Sequence, residues 1–125
     1  MHKKKTYFVL AILWTSIVTI LSLITIGDIG SSIPIPNKDK YVHFTFYFVF
    51  VVVWFLYAKR TKITKKIQWI VLLSAIGYGI LMEICQGIFT KTRSPDVMDV
   101  IANSIGAITG LLFITKILKK YKTTP

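Results

Sequence analysis

Long apolar runs alternate with short polar ones along this chain. Thr6–Gly27 carries no charge, Tyr41–Ala58 none but that available to His43, Ile67–Thr90 only Glu83, and Val100–Thr115 none. A helix needs roughly 20 apolar residues to cross a bilayer. The first three runs meet that length, and the fourth does so when its polar start at Pro95 is included. The pattern therefore predicts an all-α polytopic membrane protein, a four-transmembrane-helix bundle with spans at about 7–26, 41–58, 67–89 and 96–118. Four spans in 125 residues leave room for a single membrane domain over 1–125 and little else.

The connections differ in kind. "GDIGSSIPIPNKDK" (27–40) combines glycines and serines with Pro34 and Pro36, which favour a shaped, extended loop over a helix. Span four has a readable start: Ser94 suits the N-cap, Pro95 the first helical position and Asp96 the first turn, where the helix dipole favours a negative charge. Asp96, Asp99 and Asn103 share one face of that helix at spacings of three and four. Ala102, Gly106 and Gly110 repeat every four residues, a stripe that lets another helix approach closely.

Composition agrees, with 54% hydrophobic residues. The net charge of +11 would suit nucleic acid, but its distribution argues otherwise. Twelve of the 16 Lys and Arg lie before span one, between spans two and three, or after span four, which share a side in a four-span topology. Four, Lys38, Lys40, Lys91 and Arg93, lie on the other side. The positive-inside rule then predicts both termini in the cytoplasm, N-in/C-in, and no nucleic-acid partner. "MHKKK" ahead of so long an apolar run reads as an uncleaved signal-anchor, since a cleaved signal has a core of only about 7–15 residues. Cys85 is the only cysteine and leaves the redox compartment unread.

All five acids, Asp28, Asp39, Glu83, Asp96 and Asp99, fall in the outer half of this topology. Asp39, His43 and Tyr47 share a face at the start of span two, and Glu83 and Gln86 share one near the end of span three. At about 1.5 Å per residue, Glu83 lies roughly 10 Å below its end of the membrane and Asn103 roughly 12 Å. An acid at the centre of a span costs about 2.5–3.5 kcal/mol, so Glu83 and Asp99 are expected to face the bundle, pair with Arg93 or His43, or contact trapped water. Intramembrane ionisable groups are functional candidates, and a hydrogen-bonded cluster that merely orders the helices, with Arg93 clamping Asp96 or Asp99, is the plainer alternative.

Three chemistries fit such a pocket. His43, Glu83 and Asp99 would supply acid and base to a lipid-linked substrate, although no nucleophile motif accompanies them. The same three are suitable metal ligands, yet they show none of the tight ligand spacings such as H-E-x-x-H, so no metal and no cofactor is assigned. Alternatively the pocket holds an amphiphile, Arg93 and Lys40 meeting an anionic head group while "HFTFYFVFVVVWFLY" lies along an acyl chain.

Together, "DKYVHFTFY" (Asp39 to Tyr47), "EICQ" (Glu83 to Gln86) and "RSPDVMDVIANSIGAITG" (Arg93 to Gly110), in that order, resemble the VanZ-like family, and "SSIPIP" resembles its first outer loop. The resemblance implies one VanZ-like membrane domain in the bacterial cytoplasmic membrane. It also implies a part in lowering susceptibility to teicoplanin-type lipoglycopeptides. The partners it implies are a membrane lipid, a lipid-linked envelope precursor or the lipoglycopeptide itself. Carried over position by position, the motif residues are Asp39, Lys40, His43, Tyr47, Glu83, Gln86, Arg93, Asp99, Asn103 and Gly106. The family brings no established activity. A membrane-embedded hydrolase or transferase with Asp99 or Glu83 as acid/base therefore stands beside the binding role, as does a structural subunit that packs a partner on the Gly106/Gly110 stripe.

Overall fold

The protein is described by a computed structural model covering residues 2–23, 38–59, 63–90 and 95–123. Four helices account for nearly all of them: α1 (His2–Leu23), α2 (Lys38–Ala58), α3 (Lys65–Phe89) and α4 (Val97–Thr123). Each is long and apolar enough to cross a membrane, and no strand occurs among the described residues. The helices reach past the apolar runs into polar flanks. α1 takes in Lys3–Lys5, and α2 opens at Lys38, inside what reads as loop in the sequence. Most of the loop at 27–40 lies outside the described residues.

Two helix starts show why the chain turns where it does. Thr64 caps α3, its backbone extended at φ −98° and ψ 155° and its hydroxyl accepting from the Ile67 N–H at 3.3 Å. At α4 the cap is Asp96, two residues later than the sequence suggests. Its Oδ1 accepts from the Met98 N–H at 2.8 Å, and its carbonyl accepts from the Asp99 N–H at 3.1 Å. Asp96 thus satisfies amide groups that have no partner inside the helix, with a charge suited to the dipole. Pro95 precedes the helix and presses its ring on Gly87 of α3, where a Cβ would come within 2.6 Å of Pro95 Cγ. Ser94 lies outside the described residues.

Contacts along the helices set an up-down-up-down bundle. Phe8 meets Tyr57 while Trp14 donates to the Phe46 carbonyl at 2.9 Å, so α1 and α2 are antiparallel. Glu83 meets Asp96 and Gly79 meets Asn103, so α3 and α4 are antiparallel as well. α2 and α4 run parallel in the most extensive helix pair of the bundle. The small-residue stripe explains that closeness: a Cβ on Gly106 would overlap the Phe44 carbonyl, and one on Gly110 would lie 2.6 Å from the Phe48 carbonyl oxygen. The stripe is therefore taken up inside the bundle by α2, which removes it as a seat for another chain.

One end of the interior is apolar, built on Val51, Phe55, Val71, Ala75, Leu111 and Ile114. Indole groups tie α1 to α2 alongside it, Trp54 donating to Thr15 Oγ1 at 2.9 Å, and a Thr19–Tyr78 hydroxyl contact ties α1 to α3. The outward faces of all four helices remain apolar and exposed, as surfaces meant for lipid are. Toward the opposite end the interior becomes polar.

Candidate functional site

At that polar end the N-termini of α2 and α4 and the C-terminal part of α3 converge. Lys40 lies two residues into α2, and its Nζ contacts three carboxylates: Asp39 Oδ2 at 2.7 Å, Asp96 Oδ2 at 2.9 Å and Asp99 Oδ1 at 2.5 Å. The Asp39 and Asp96 side chains are about half-exposed and form a rim, whereas Asp99 is turned inward. The Lys40 ammonium, helped by the Met98 N–H, holds the Asp96 carboxyl below the usual carboxylate range. Among the described residues the cation clamping Asp96 and Asp99 is Lys40; the Arg93 expected there from the sequence lies outside the described residues. Lys40 is three residues from His43 and hence on the same face of α2, a signal the sequence did hold.

Beneath the rim lies a buried layer. His43 Nδ1 is 2.9 Å from Asn103 Oδ1, and its Nε2 is 3.5 Å from Asp99 Oδ2. Glu83 is only 3% exposed; its Oε2 accepts from the Asp96 N–H at 3.1 Å, and its Oε1 has no hydrogen-bond partner among the described residues. Tyr47 Oη and Asn103 Nδ2, one turn deeper, are also buried without partners among the described residues. Both side chains stand over Gly79, where a Cβ would lie 3.0 Å from Asn103 Nδ2 and 3.3 Å from Tyr47 Cε1. The absent side chain at Gly79 makes room for this layer. Its three unpartnered atoms include an acceptor and a donor, groups that are costly to leave unpaired in a buried layer.

Of the residues singled out in the sequence, Asp39, Lys40, His43, Glu83, Asp96, Asp99 and Asn103 come together at this end, with Tyr47 at its floor. Gln86 does not join them. It shares a helix face with Glu83, yet its Nε2 turns to α1 and donates to the Ser22 carbonyl at 2.8 Å. Gln86 is thus a brace between α3 and the last turn of α1. Ala102 is half-buried in α4.

His43, Glu83 and Asp99 each offer one donor atom within 4.8 Å of the others, on three different turns of three elements. Such a set combines a neutral or cationic imidazole with two carboxylates, the inventory of proton transfer and of cation binding alike. No curated protein and no solved structure shows significant similarity to the chain. A family model does: the one described as VanZ/LLP1 matches residues 4–119, all four helices and every residue of the polar cluster. The chain belongs to the VanZ/LLP1 family.

Proposed function

We propose that this protein sits in the bacterial cytoplasmic membrane with both termini inside. There it lowers susceptibility to teicoplanin-type lipoglycopeptides by holding an amphiphilic ligand at its polar end. The observation that carries this reading is the gradation at that end. A wet rim of Asp39, Lys40 and Asp96 lies over the buried His43, Glu83, Asp99 and Asn103, and exposed apolar side chains flank it at Val42, Phe89, Val97 and Met98. A polar head would meet the rim while its hydrocarbon lies against the apolar flank. Because Lys40 is already shared among three carboxylates, head groups carrying hydroxyl or amino donors suit the rim better than purely anionic ones.

The test is antibiotic susceptibility of a deletion strain complemented with wild type or Asp99→Asn. Deletion should lower the inhibitory concentration of teicoplanin, and wild type should restore it. Asp99→Asn should accumulate without restoring it, and a glycopeptide lacking a lipid tail should be less affected. Unchanged teicoplanin susceptibility on deletion and on overexpression would overturn the reading.

A second reading, acid/base turnover of a lipid-linked envelope precursor, is favoured by one observation: Glu83 keeps a carboxylate oxygen unengaged beside the His43–Asp99 pair. Asp99→Glu separates the two. Turnover depends on the position of the acid to within an ångström or so, and the swap should abolish it, whereas ligand retention should survive.

A further inference from the structure

We propose that His43, Glu83 and Asp99 form a site for one divalent transition cation, with Zn2+ the ion their donor set suits. The argument begins with what each side chain does with its second donor atom. Asp99 Oδ1 is held by Lys40 Nζ at 2.5 Å, Glu83 Oε2 by the Asp96 N–H at 3.1 Å, and His43 Nδ1 by Asn103 Oδ1 at 2.9 Å. Asp99 Oδ2 and His43 Nε2 are left 3.5 Å apart, and Glu83 offers a carboxylate oxygen within 4.8 Å of a donor atom of each. A metal-binding imidazole characteristically gives its other N–H to a carbonyl or carboxylate, which fixes the tautomer and ring orientation, and metal-binding carboxylates are likewise hydrogen-bonded from behind. All three residues show that arrangement.

The distances agree. His43 Nε2 and Asp99 Oδ2 are 3.5 Å apart, long for a direct N–H···O bond. Two ligands at about 2.0–2.2 Å from a tetrahedral Zn2+ are separated by about 3.4 Å. The full set fits within 4.8 Å, so closing on an ion needs only a small inward movement of Glu83.

Glu83 supplies the independent observation. It is 3% exposed, and among the described residues it has no ion-pair partner and its Oε1 makes no hydrogen bond. A buried carboxylate in that condition is costly unless it takes up a proton or a cation meets it, and a divalent ion would displace that proton. Tyr47 Oη and Asn103 Nδ2 are available to solvent ligands that complete the coordination shell. The ligands come from three helices, which is why no short sequence motif announces them.

The inference needs only this cluster and stands whether or not the protein affects antibiotic susceptibility. Its test uses full-length protein purified in detergent through a non-histidine tag, equilibrated with Zn2+, desalted and assayed for metal. The chain has only two histidines, so in a His2→Ala background any imidazole bound to zinc is that of His43. Wild type and His2→Ala should each retain about one Zn2+, and His43→Ala, Glu83→Gln and Asp99→Asn should bind at least about tenfold more weakly. X-ray absorption on zinc-loaded His2→Ala should show outer-shell scattering from one imidazole. This last measurement decides the matter even if the ligand variants fail to fold. Absence of retained Zn2+, retention undiminished in folded His43→Ala and Glu83→Gln, or zinc bound without imidazole scattering would each overturn the proposal.

Discussion

Lys40 Nζ stands 2.5 Å from Asp99 Oδ1, joining the first turn of α2 to the first turn of α4 across the most extensive helix pair among the described residues. Both helices begin at this end and run parallel, so their positive dipole ends lie side by side. Asp39, Asp96 and Asp99 all sit at those N-termini, where a carboxylate is favourable, and Lys40 in turn links the carboxylates. Parallel helices packed through glycine bring like ends together, and the acid cluster is a physical answer to that arrangement.

Removing the cation should therefore do more than remove one surface ion pair. Lys40→Met is expected to destabilise the bundle by about 2 kcal/mol, since Asp99 would be left largely buried without its cation. Thermal unfolding in detergent would measure this. A double-mutant cycle with Asp99→Asn should return a coupling of about 1 kcal/mol or more. Zero coupling would mean that the rim carboxylates, and not Asp99, hold the lysine.

Glycine-to-alanine changes should separate sharply by position. Gly106→Ala places its methyl group against the Phe44 carbonyl, part of a helix backbone that cannot yield without moving α2. We expect a loss of about 1–3 kcal/mol and a weakened α2–α4 contact. Gly77→Ala meets nothing within 4 Å, so it should be neutral or stabilising by up to about 1 kcal/mol. Equal effects at the two sites would remove close helix approach as the reason for the stripe.

Gln86 offers a test of the brace between α3 and α1. Gln86→Leu keeps the side-chain volume roughly constant and deletes the bond to the Ser22 carbonyl. The expected cost is about 1–3 kcal/mol, with little change in ligand or metal retention because the residue points away from the cluster. A variant that loses Zn2+ while unfolding normally would show that Gln86 reaches the polar layer after all.

Much of this fold is written in the apolar runs, because a membrane span needs little more than length and the absence of charge. The helices α1 to α4 follow the expected spans, and their ends differ where hydrogen-bonding and not hydropathy decides. Asp96 caps α4 because a carboxylate reaching Met98 N–H fits that turn, a preference hydropathy does not encode. Helical spacing puts His43 on the face of Asp39 and Asn103 on the face of Asp99. It does not say which helix each face meets, so the Lys40 clamp and the inward turn of Gln86 to α1 came only with the tertiary structure. A parallel α2–α4 pairing is a relation between distant segments, and the glycines announce a close approach without naming the partner.

Orientation in the membrane can be tested by chemistry at two exposed positions at opposite ends of α4. Val97 is 74% exposed beside the polar cluster, and Tyr121 is 76% exposed at the far end. Cys85 is the only native cysteine, so Cys85→Ala provides a clean background. The excess of Lys and Arg at the start of α1, around the turn from α2 to α3 and at the end of α4 should hold those segments in the cytoplasm. Val97→Cys in intact cells is then expected to react with a membrane-impermeant maleimide, whereas Tyr121→Cys should react only after the membrane is opened. The reverse pattern would put the polar end inside. The cluster would then face the cytoplasmic leaflet, where neither a lipoglycopeptide nor an outer-leaflet precursor could reach it, and the binding role would have to be sought among cytoplasmic-leaflet lipids.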